Sequence, residues 1–204
     1  MKNVCPNPKC SFLPESRAPN IHSTAYIHPQ AVVIGDVEIG AEVMVAPFAS
    51  VRADEGSPFR VGARSNIQDG VVMHALETDG DYFKKNTVEV SGKRYAIYIG
   101  EGVSLAHQCQ IHGPALIQDS CFIGMQSFVF KSEIGKGSVL EPGAKVMGVN
   151  VPSGRYVPAG SIIRDQQEAD DLPIIDESYP LKDLNAEVVK VNTEIDSAYK
   201  NEFE

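Results

Sequence analysis

Residues 99–129 read IGEGVSLAHQCQIHGPALIQDSCFIGMQSFV and carry an apolar residue at every sixth position. These residues are Ile99, Leu105, Ile111, Ile117, Ile123 and Val129. Four positions after most of them the side chain is small, as at Cys109, Ala115, Cys121 and Ser127. Neither the period of an α-helix nor the alternation of an ordinary strand produces this spacing. A six-residue repeat is instead typical of β-helices, in which each repeat forms one short strand and one corner.

The same spacing continues on both sides of this stretch. Upstream units begin at Ile21, Ile27, Val33, Ile39, Val45, Val51, Val61, Ile67 and Met73, and downstream units begin at Ile134, Leu140, Val146, Val151, Val157 and Ile163. With three units per coil, the 21 units predict an all-β solenoid, a left-handed parallel β-helix of about seven coils stacked roughly 4.8 Å apart. The apolar side chain of each unit is expected to point into the prism.

The repeat divides the chain into three parts. Residues 1–17 are expected to form an N-terminal arm, residues 18–165 the β-helix, and residues 166–204 a C-terminal helical segment. Within the β-helix, residues 57–60 are expected to insert a short loop and residues 79–98 a long one. A loop as long as the second is uncommon in a compact repeat and is often functional.

Two patterns predict local structure outside the repeat. Apolar residues from Val188 to Tyr199 recur at helical spacing. An amphipathic α-helix that begins near Asn185 is therefore expected to pack along the prism. Inside the long insertion, the pair Ser91-Gly92 is expected to form the turn of a small hairpin.

The composition argues against two classes of partner. Lys and Arg total 18 and Asp and Glu total 27, which gives a formal net charge of −9. This charge disfavours binding to nucleic acid or to an anionic membrane. No apolar run approaches the length of a membrane-spanning helix, and residues 1–20 lack the basic and apolar regions of a signal peptide. A cytoplasmic location is therefore expected.

The cysteines are expected to have structural roles or none. Cys109 and Cys121 occupy small-residue positions of the repeat and are predicted to be packing residues. Cys5 and Cys10 lie in the arm at a spacing that is unusual for a pair of zinc ligands. They form either a local disulfide or two free thiols, and free thiols are favoured.

Two histidines fall in register on one face of the predicted prism. Val51, Met73 and Ile111 begin units of the same face. His74 directly follows Met73, and His112 directly follows Ile111. Their backbones are expected to lie one coil apart, roughly 4.8 Å. At that distance two imidazoles can share one metal ion.

A third histidine lies on a different face. His107 is two residues past Leu105, which begins a unit on the face that also holds Ile67 and Gln68. Within one prism His107 is not expected to meet the other two histidines, but a three-fold homotrimer would bring different faces of neighbouring subunits together. Three imidazoles and one open position are typical of a catalytic zinc site, and Fe²⁺ or Co²⁺ would also accept them. The alternative is that each is an ordinary surface histidine.

Two glutamates stand where the repeat favours a small residue. Glu55 and Glu77 each directly precede an interruption of the β-helix. Glu77 follows His74 by three residues, so it is a candidate for carrying protons between the site and bulk water. Glu55 is a candidate for orienting the attacking group. From periodicity alone, it is about as plausible that the repeat simply ends at these two positions.

The remaining polar candidates flank the same segments. Arg52 and Asp54 are close enough to form an ion pair, and a structural salt bridge is the favoured interpretation. Asn66 and Gln68 bracket Ile67 and are candidates for hydrogen bonds to bound bicarbonate or water. Exposed turn amides are the alternative for these two.

Four segments together resemble the gamma-class carbonic anhydrases. They are RADE at 52–55, NIQDG at 66–70, HALE at 74–77 and HQCQIHG at 107–113. The similarity runs from about Ala18 through the C-terminal helix, and it is greatest to the archaeal type with an acidic proton-shuttle loop. Residues 1–17 show no clear counterpart. The loop in this chain is shorter and partly basic, and Lys190 replaces an expected tyrosine.

The resemblance implies a role for each candidate. It implies that a metal is bound by His74, His107 and His112, and that Glu77 is the proton shuttle. It also implies that Gln68, Glu55 and Asn66 lie beside the reacting water. Arg52 and Asp54 are implied at a subunit contact, and Asn192 near carbon dioxide. The implied reaction is the reversible hydration of CO2 to bicarbonate in a homotrimer. The alternatives are a hexapeptide-repeat acyltransferase, which needs one histidine base, and a non-catalytic bicarbonate-binding or scaffold homologue.

Overall fold

A computed structural model describes residues 3–203, with the side chain of Phe203 excepted. The strands are β1 (Val4–Cys5), β2 (Asn20–Ile21), β3 (Tyr26–Ile27), β4 (Val32–Gly35), β5 (Val37–Ile39), β6 (Met44–Val45), β7 (Ser50–Ala53), β8 (Phe59–Val61), β9 (Asn66–Ile67), β10 (Val72–Ala75), β11 (Val88–Val90), β12 (Lys93–Tyr95), β13 (Ile97–Ile99), β14 (Ser104–Leu105), β15 (Gln110–Ile117), β16 (Phe122–Ile123), β17 (Phe128–Ile134), β18 (Val139–Leu140), β19 (Lys145–Met147), β20 (Asn150–Val151), β21 (Tyr156–Val157) and β22 (Ile162–Ile163). The helices are α1 (Tyr82–Lys85), α2 (Gln166–Asp170) and α3 (Leu184–Phe203).

The short strands stack into three walls of a parallel β-solenoid. The first wall, which contains Ile67, consists of β3, β6, β9, β14, β16, β18 and β21. The second wall contains Met73 and the third wall contains Ile99. These two walls form one hydrogen-bonded sheet because β15 and β17 run around the corner between them, with a register shift in β15 between His112 and Ala115. The pairings within all three walls are parallel, as the repeat predicts.

Burial confirms the six-residue pattern. Every side chain that begins a repeat from Val33 to Val157 is at most 2 % exposed. Ile21, Ile27 and Ile163, at the ends of the stack, are less completely covered. Burial of each such aliphatic side chain stabilises the fold by about 1.5–3 kcal/mol, so this column of side chains forms the core of the solenoid.

The N-terminal segment adds a further strand to the second wall. Val4 and Cys5 of β1 pair in parallel with Val33 and Ile34 of β4. Together with the seven strands of the first wall, this addition makes about eight turns. The arm is therefore partly integrated into the solenoid, a feature that the repeat did not predict because β1 carries only two residues of it.

The cysteines are free thiols, as favoured from the sequence. Cys109 and Cys121 are fully buried in the core, which confirms their packing role. Burial raises the pKa of both thiols, that of Cys121 to about 12. At neutral pH these sulfurs therefore remain protonated and are poor nucleophiles.

The first interruption of the repeat is shifted from its expected place. The prediction of a loop over residues 57–60 is wrong for its last two residues, because β8 begins at Phe59. Phe59 is fully buried and pairs with Val37 on one side and Ile97 on the other. A large apolar side chain at this position fills the prism, so the chain leaves the wall between Ala53 and Phe59.

The long insertion contains α1 and an antiparallel hairpin of β11 and β12. Ser91 and Gly92 form its turn with φ of 50° and 75°, which confirms the predicted hairpin. Positive φ at both central residues matches the twist of a two-residue hairpin turn. The inserted residues lie between Ala75, the last residue of β10, and Ile97, the first of β13. The expected end of the insertion at residue 98 is therefore wrong, because Ile97 and Tyr98 pair with β8 and β15 in the third wall.

Helix α3 confirms the predicted C-terminal helix and lies along the first wall. It contacts β3, β6, β9 and β14. Asn185 donates a hydrogen bond from Nδ2 to the Gly102 carbonyl at 2.9 Å, and the ring of Tyr199 stacks on Tyr26 with centroids 4.9 Å apart. Over residues 3–203, no helix is both long enough and apolar enough to cross a membrane.

Candidate metal centre

His74 and His112 are neighbours on the second wall. Strands β10 and β15 pair so that the two residues are direct partners in the ladder. Their ring centroids lie 5.5 Å apart and their planes meet at 72°. This arrangement confirms the coil-to-coil register expected from the sequence and places the two imidazoles side by side.

The surroundings of His112 favour a neutral imidazole with one free nitrogen. Nδ1 lies 3.2 Å from the Gly113 carbonyl oxygen, which can only accept, so Nδ1 is the protonated nitrogen. Nε2 then keeps its lone pair. The pKa of His112 is lowered overall, chiefly by burial. The hydrogen bond to Gly113 opposes this shift, His74 adds to it, and the charge of Glu55 opposes it. Gly113 fits here because a Cβ would lie 2.4 Å from the carbonyl oxygen of Ala96.

Two carboxylates face His74 from the preceding coil. Asp54 places Oδ1 3.3 Å from Nε2 of His74, and Glu55 places Oε2 3.7 Å from the same nitrogen. Asp54 also accepts from Nε of Arg52 at 3.1 Å. The ion pair expected between Arg52 and Asp54 is therefore present within one chain, and Asp54 also contacts His74.

His107 lies on the first wall, in the turn after β14. Its Nδ1 is 3.1 Å from Oδ2 of Asp69, and both side chains are about half exposed. A carboxylate on Nδ1 leaves Nε2 free and orients the ring, an arrangement common around metal-binding histidines. Asp69 was not among the predicted residues, although a signal for it exists. It is two residues past Ile67, as His107 is two residues past Leu105, and these apolar residues are partners in the ladder.

Asn66 and Gln68 are buried, so the alternative of exposed turn amides is wrong. Asn66 is 1 % exposed and Gln68 8 % exposed. Gln68 donates from Nε2 to Asn66 Oδ1 at 2.9 Å, and Asn66 donates from Nδ2 to Ser104 Oγ at 3.0 Å. This chain of hydrogen bonds fixes the orientation of the Gln68 amide.

A cavity of about 820 Å³ lies between the first wall and α3. Gln68, His107 and Asn192 border it, and apolar side chains of the wall and the helix supply most of its remaining surface. Asn192 donates from Nδ2 to the Val188 carbonyl, one turn earlier in α3, at 2.9 Å. The structure thus brings Gln68, His107 and Asn192 to one cavity.

The candidate residues form two groups within one chain. Arg52, Asp54, Glu55, His74 and His112 lie on or beside the second wall, whereas Asn66, Gln68, His107 and Asn192 belong to the first wall and α3. Over residues 3–203, no group of three or more His, Cys, Asp or Glu side chains could hold a metal ion. Glu77 follows β10 and is half-buried, and its carboxylate makes no hydrogen bond or ion pair with the described residues.

The donors themselves suit a divalent transition metal. His112 and His107 each have Nδ1 engaged by an oxygen and Nε2 available. His74 stands beside His112 and faces carboxylates. Imidazoles with one ring nitrogen held by an oxygen are the usual ligands of zinc, and they also accept Fe²⁺ and Co²⁺.

The comparisons with known proteins agree with these features, although no family model matches the sequence. The chain is 55 % identical over 201 residues to a carbonic anhydrase of Methanosarcina thermophila, a match that covers 97 % of this chain and 81 % of that protein. Because it covers nearly the whole chain, the match extends into residues 1–17, and the expectation that they have no counterpart is wrong.

Two further similarities are more limited. The chain is 41 % identical over 194 residues to the carboxysome assembly protein CcmM of a Nostoc species, but it spans only 33 % of that protein. The solved structure of a proposed acetyltransferase from Bacillus cereus superposes with a TM-score of 0.61 at 23 % identity, covering 91 % of this chain and 93 % of the other. This last similarity concerns the fold alone. By the first similarity, which extends over nearly its whole length, the chain belongs to the gamma-class carbonic anhydrase family.

Proposed function

We propose that this protein catalyses the reversible hydration of CO2 to bicarbonate, as a homotrimer with its metal sites between subunits. Each site would take His74 and His112 from one subunit and His107 with Gln68 from the next. The observation that carries the proposal is the pairing of His74 with His112, whose rings lie 5.5 Å apart in the ladder. Membership of the carbonic anhydrase family supports the reaction.

The positions of the histidines support a site shared between subunits. One chain offers two ligands on its second wall and one on its first wall. A closed three-fold ring brings different surface patches of identical subunits together, so it can join the second wall of one to the first wall of the next. Val72, beside His74, is 40 % exposed and Met125, beside the cavity at His107, is 42 % exposed. A subunit contact would cover both.

His74, His107 and His112 would hold the metal, with zinc as the first choice and Fe²⁺ or Co²⁺ as alternatives. When bound, such an ion lowers the pKa of a coordinated water to about 7, the value known for zinc in a carbonic anhydrase. Around the metal, the chain supplies fixed hydrogen bonds and a route for protons.

The other site residues divide these tasks. Gln68, oriented by Asn66, would hold bicarbonate or water by hydrogen bonds. Glu55, whose carboxylate lies near His74, would orient the attacking group. The apolar cavity bordered by Asn192 would admit CO2, which is neutral and apolar. Glu77 would carry the released proton to solvent, since the residue is half-buried and its carboxylate has no partner among the described residues.

The subunit contact itself would include Arg52 and Asp54. Arg52 is 46 % exposed at its side chain although it is paired, so it has donors left for a neighbouring chain. Asp54, which lies between Arg52 and His74, would then connect this contact to the metal ligands.

Two alternatives make different predictions. An acyltransferase needs one histidine base and no stoichiometric metal, and only the fold favours it here. A non-catalytic scaffold is favoured by the similarity to CcmM, which the chain matches over a third of that protein's length. Glu77 and its loop argue against a scaffold, because a protein that only binds has no proton to export.

Stopped-flow CO2 hydration tests the proposal. We expect the anaerobically purified trimer, loaded separately with Zn²⁺, Fe²⁺ or Co²⁺, to accelerate acidification of a weakly buffered CO2 solution, with about one metal ion per subunit. The metal-free protein serves as the control. Absence of activity with all three metals, together with a stable trimer, would favour the scaffold.

A further inference from the structure

The turn that carries Glu55 and the turn that carries Glu77 are packed directly against each other. A Cβ at Gly56 would lie 2.1 Å from the carbonyl oxygen of Leu76. Only glycine therefore allows the two backbones to approach this closely. The residues that follow Glu55 thus touch the residue that precedes Glu77.

The contact continues through a reciprocal pair of hydrogen bonds on the other side of Glu77. The Ser57 amide donates to Oγ1 of Thr78 at 3.0 Å, and that hydroxyl donates to the Ser57 carbonyl at 3.1 Å. Both residues are buried. Glu77 is therefore flanked by two residues, Leu76 and Thr78, that are held by the turn after Glu55.

Asn86, from the inserted loop, holds Glu77 itself. Its Nδ2 donates to the Glu77 carbonyl at 2.7 Å. Asn86 is only 4 % exposed, and its Oδ1 is buried with no hydrogen-bond partner in the described part of the chain. A buried acceptor without a hydrogen-bond partner destabilises the folded chain. The side chain of Asn86 therefore occupies a destabilising position in which it makes one hydrogen bond, to the Glu77 carbonyl, and this combination points to a functional role for that bond.

The position of Asn86 is set in turn by the hairpin. Arg94 on β12 donates from its guanidinium to Thr87 Oγ1 at 2.7 Å, to the Thr87 carbonyl at 2.9 Å and to the Lys84 carbonyl at 3.0 Å. These bonds fix the backbone on both sides of Asn86. The long insertion is thereby connected, through one buried amide, to the carboxylate-bearing turn.

We infer that Asn86 is a positioning residue for proton transfer, which it serves by fixing the backbone of Glu77. This inference rests on the proposed function, in which Glu77 exports the proton. Gly56, Ser57 and Thr78 complete the set of contacts that hold the backbone around Glu77. These contacts matter because Glu77 lies two residues beyond the end of β10, and the Leu76 amide, which donates to the Gly113 carbonyl at 3.3 Å, makes the last backbone hydrogen bond to the neighbouring coil before it. A displacement of about 1 Å in a reacting group can cost up to about 100-fold in rate.

The test compares Asn86→Leu with Glu77→Ala and with the double variant. Leucine is close to asparagine in size and removes both the donor and the unpartnered acceptor. We expect Asn86→Leu to lower kcat about 10-fold in weak buffer, to leave kcat/KM within about twofold, and to recover in added imidazole, because a soluble base replaces the internal shuttle. In the Glu77→Ala background it should have no further effect. In metal-free protein it should speed amide hydrogen exchange in residues 76–87.

Controls separate positioning from a general loss of structure. Lys93→Ala, on the exposed face of the same hairpin, should match the wild type in every readout. Thr78→Val, which removes the shared hydroxyl, should reproduce the effect of Asn86→Leu. If Asn86→Leu does not form a trimer, the rates of Thr78→Val test whether the backbone around Glu77 must be held for proton transfer.

Two results would overturn the inference. One is an unchanged kcat in both variants, and the other is an equal loss of rate with and without Glu77. A wild type without activity would overturn the proposed function and this inference with it, whereas an active wild type with an unaffected Asn86→Leu would overturn this inference alone.

Discussion

His112→Ala is expected to remove the bound metal and to reduce CO2 hydration at neutral pH by at least about 10³-fold. The reason is chemical, because without a metal the pKa of water stays near 15.7 rather than about 7 and hydroxide becomes scarce. His112 has one nitrogen on the Gly113 carbonyl and a neighbour in His74. Its loss should therefore leave two ligands that do not hold the ion. Metal content and stopped-flow rates on the same preparation measure both effects.

His22→Ala is the matched control for His112→Ala. His22 is an exposed histidine that contacts Thr24 in a turn, and it should keep full metal content and rate. A His112→Ala protein that retains one metal per subunit and wild-type activity would contradict the assignment of His112 as a ligand.

Glu77→Ala is expected to lower kcat about 100-fold in weak buffer. Proton export limits turnover once hydration itself is fast, so kcat/KM should change much less than kcat. Added imidazole should restore most of the lost rate, because it can accept the proton directly from the site. Rates measured across a series of imidazole concentrations test this prediction.

Glu101→Ala is the control for the loss of a carboxylate. Glu101 is exposed and pairs with Arg64 on the surface, so its removal should not affect kcat. If Glu77→Ala lowers kcat/KM as strongly as kcat and imidazole has no effect, Glu77 acts at the reaction itself or in folding rather than in proton export.

The fold was predictable because its signal is repeated many times. A core position recurs every six residues, and one exception, such as the offset at Phe59, does not obscure the others. The same counting placed His74 beside His112. The strand β1 could not be predicted in this way, since Val4 and Cys5 are too few residues to show a period.

The site was predictable only in part because several of its contacts are not periodic. Asp69 follows the repeat, because it lies two residues past Ile67 as His107 lies two residues past Leu105, but its contact with the His107 ring depends on the side-chain geometry of two coils. Asn86 carries no signal in the sequence, because its contact with Glu77 depends on how the inserted loop folds back. The burial of Asn66 likewise depends on Ser104 one coil away.

Mixing two inactive variants tests the central claim, that each site is shared between subunits. His74→Ala and His107→Ala subunits should each be inactive alone. In a ring, a site regains all its ligands when a His107→Ala subunit supplies residues 74 and 112 and a His74→Ala subunit supplies residue 107. With equal amounts and random exchange, about a quarter of the sites meet this condition.

The matched control mixes His74→Ala with His112→Ala. These ligands lie on the same wall of one chain, so no arrangement of the two variants rebuilds a site. We predict recovery of about a quarter of wild-type activity in the first mixture and none in the second. No recovery in the first mixture after subunit exchange has been verified by mass spectrometry, or equal recovery in both, would contradict the shared site.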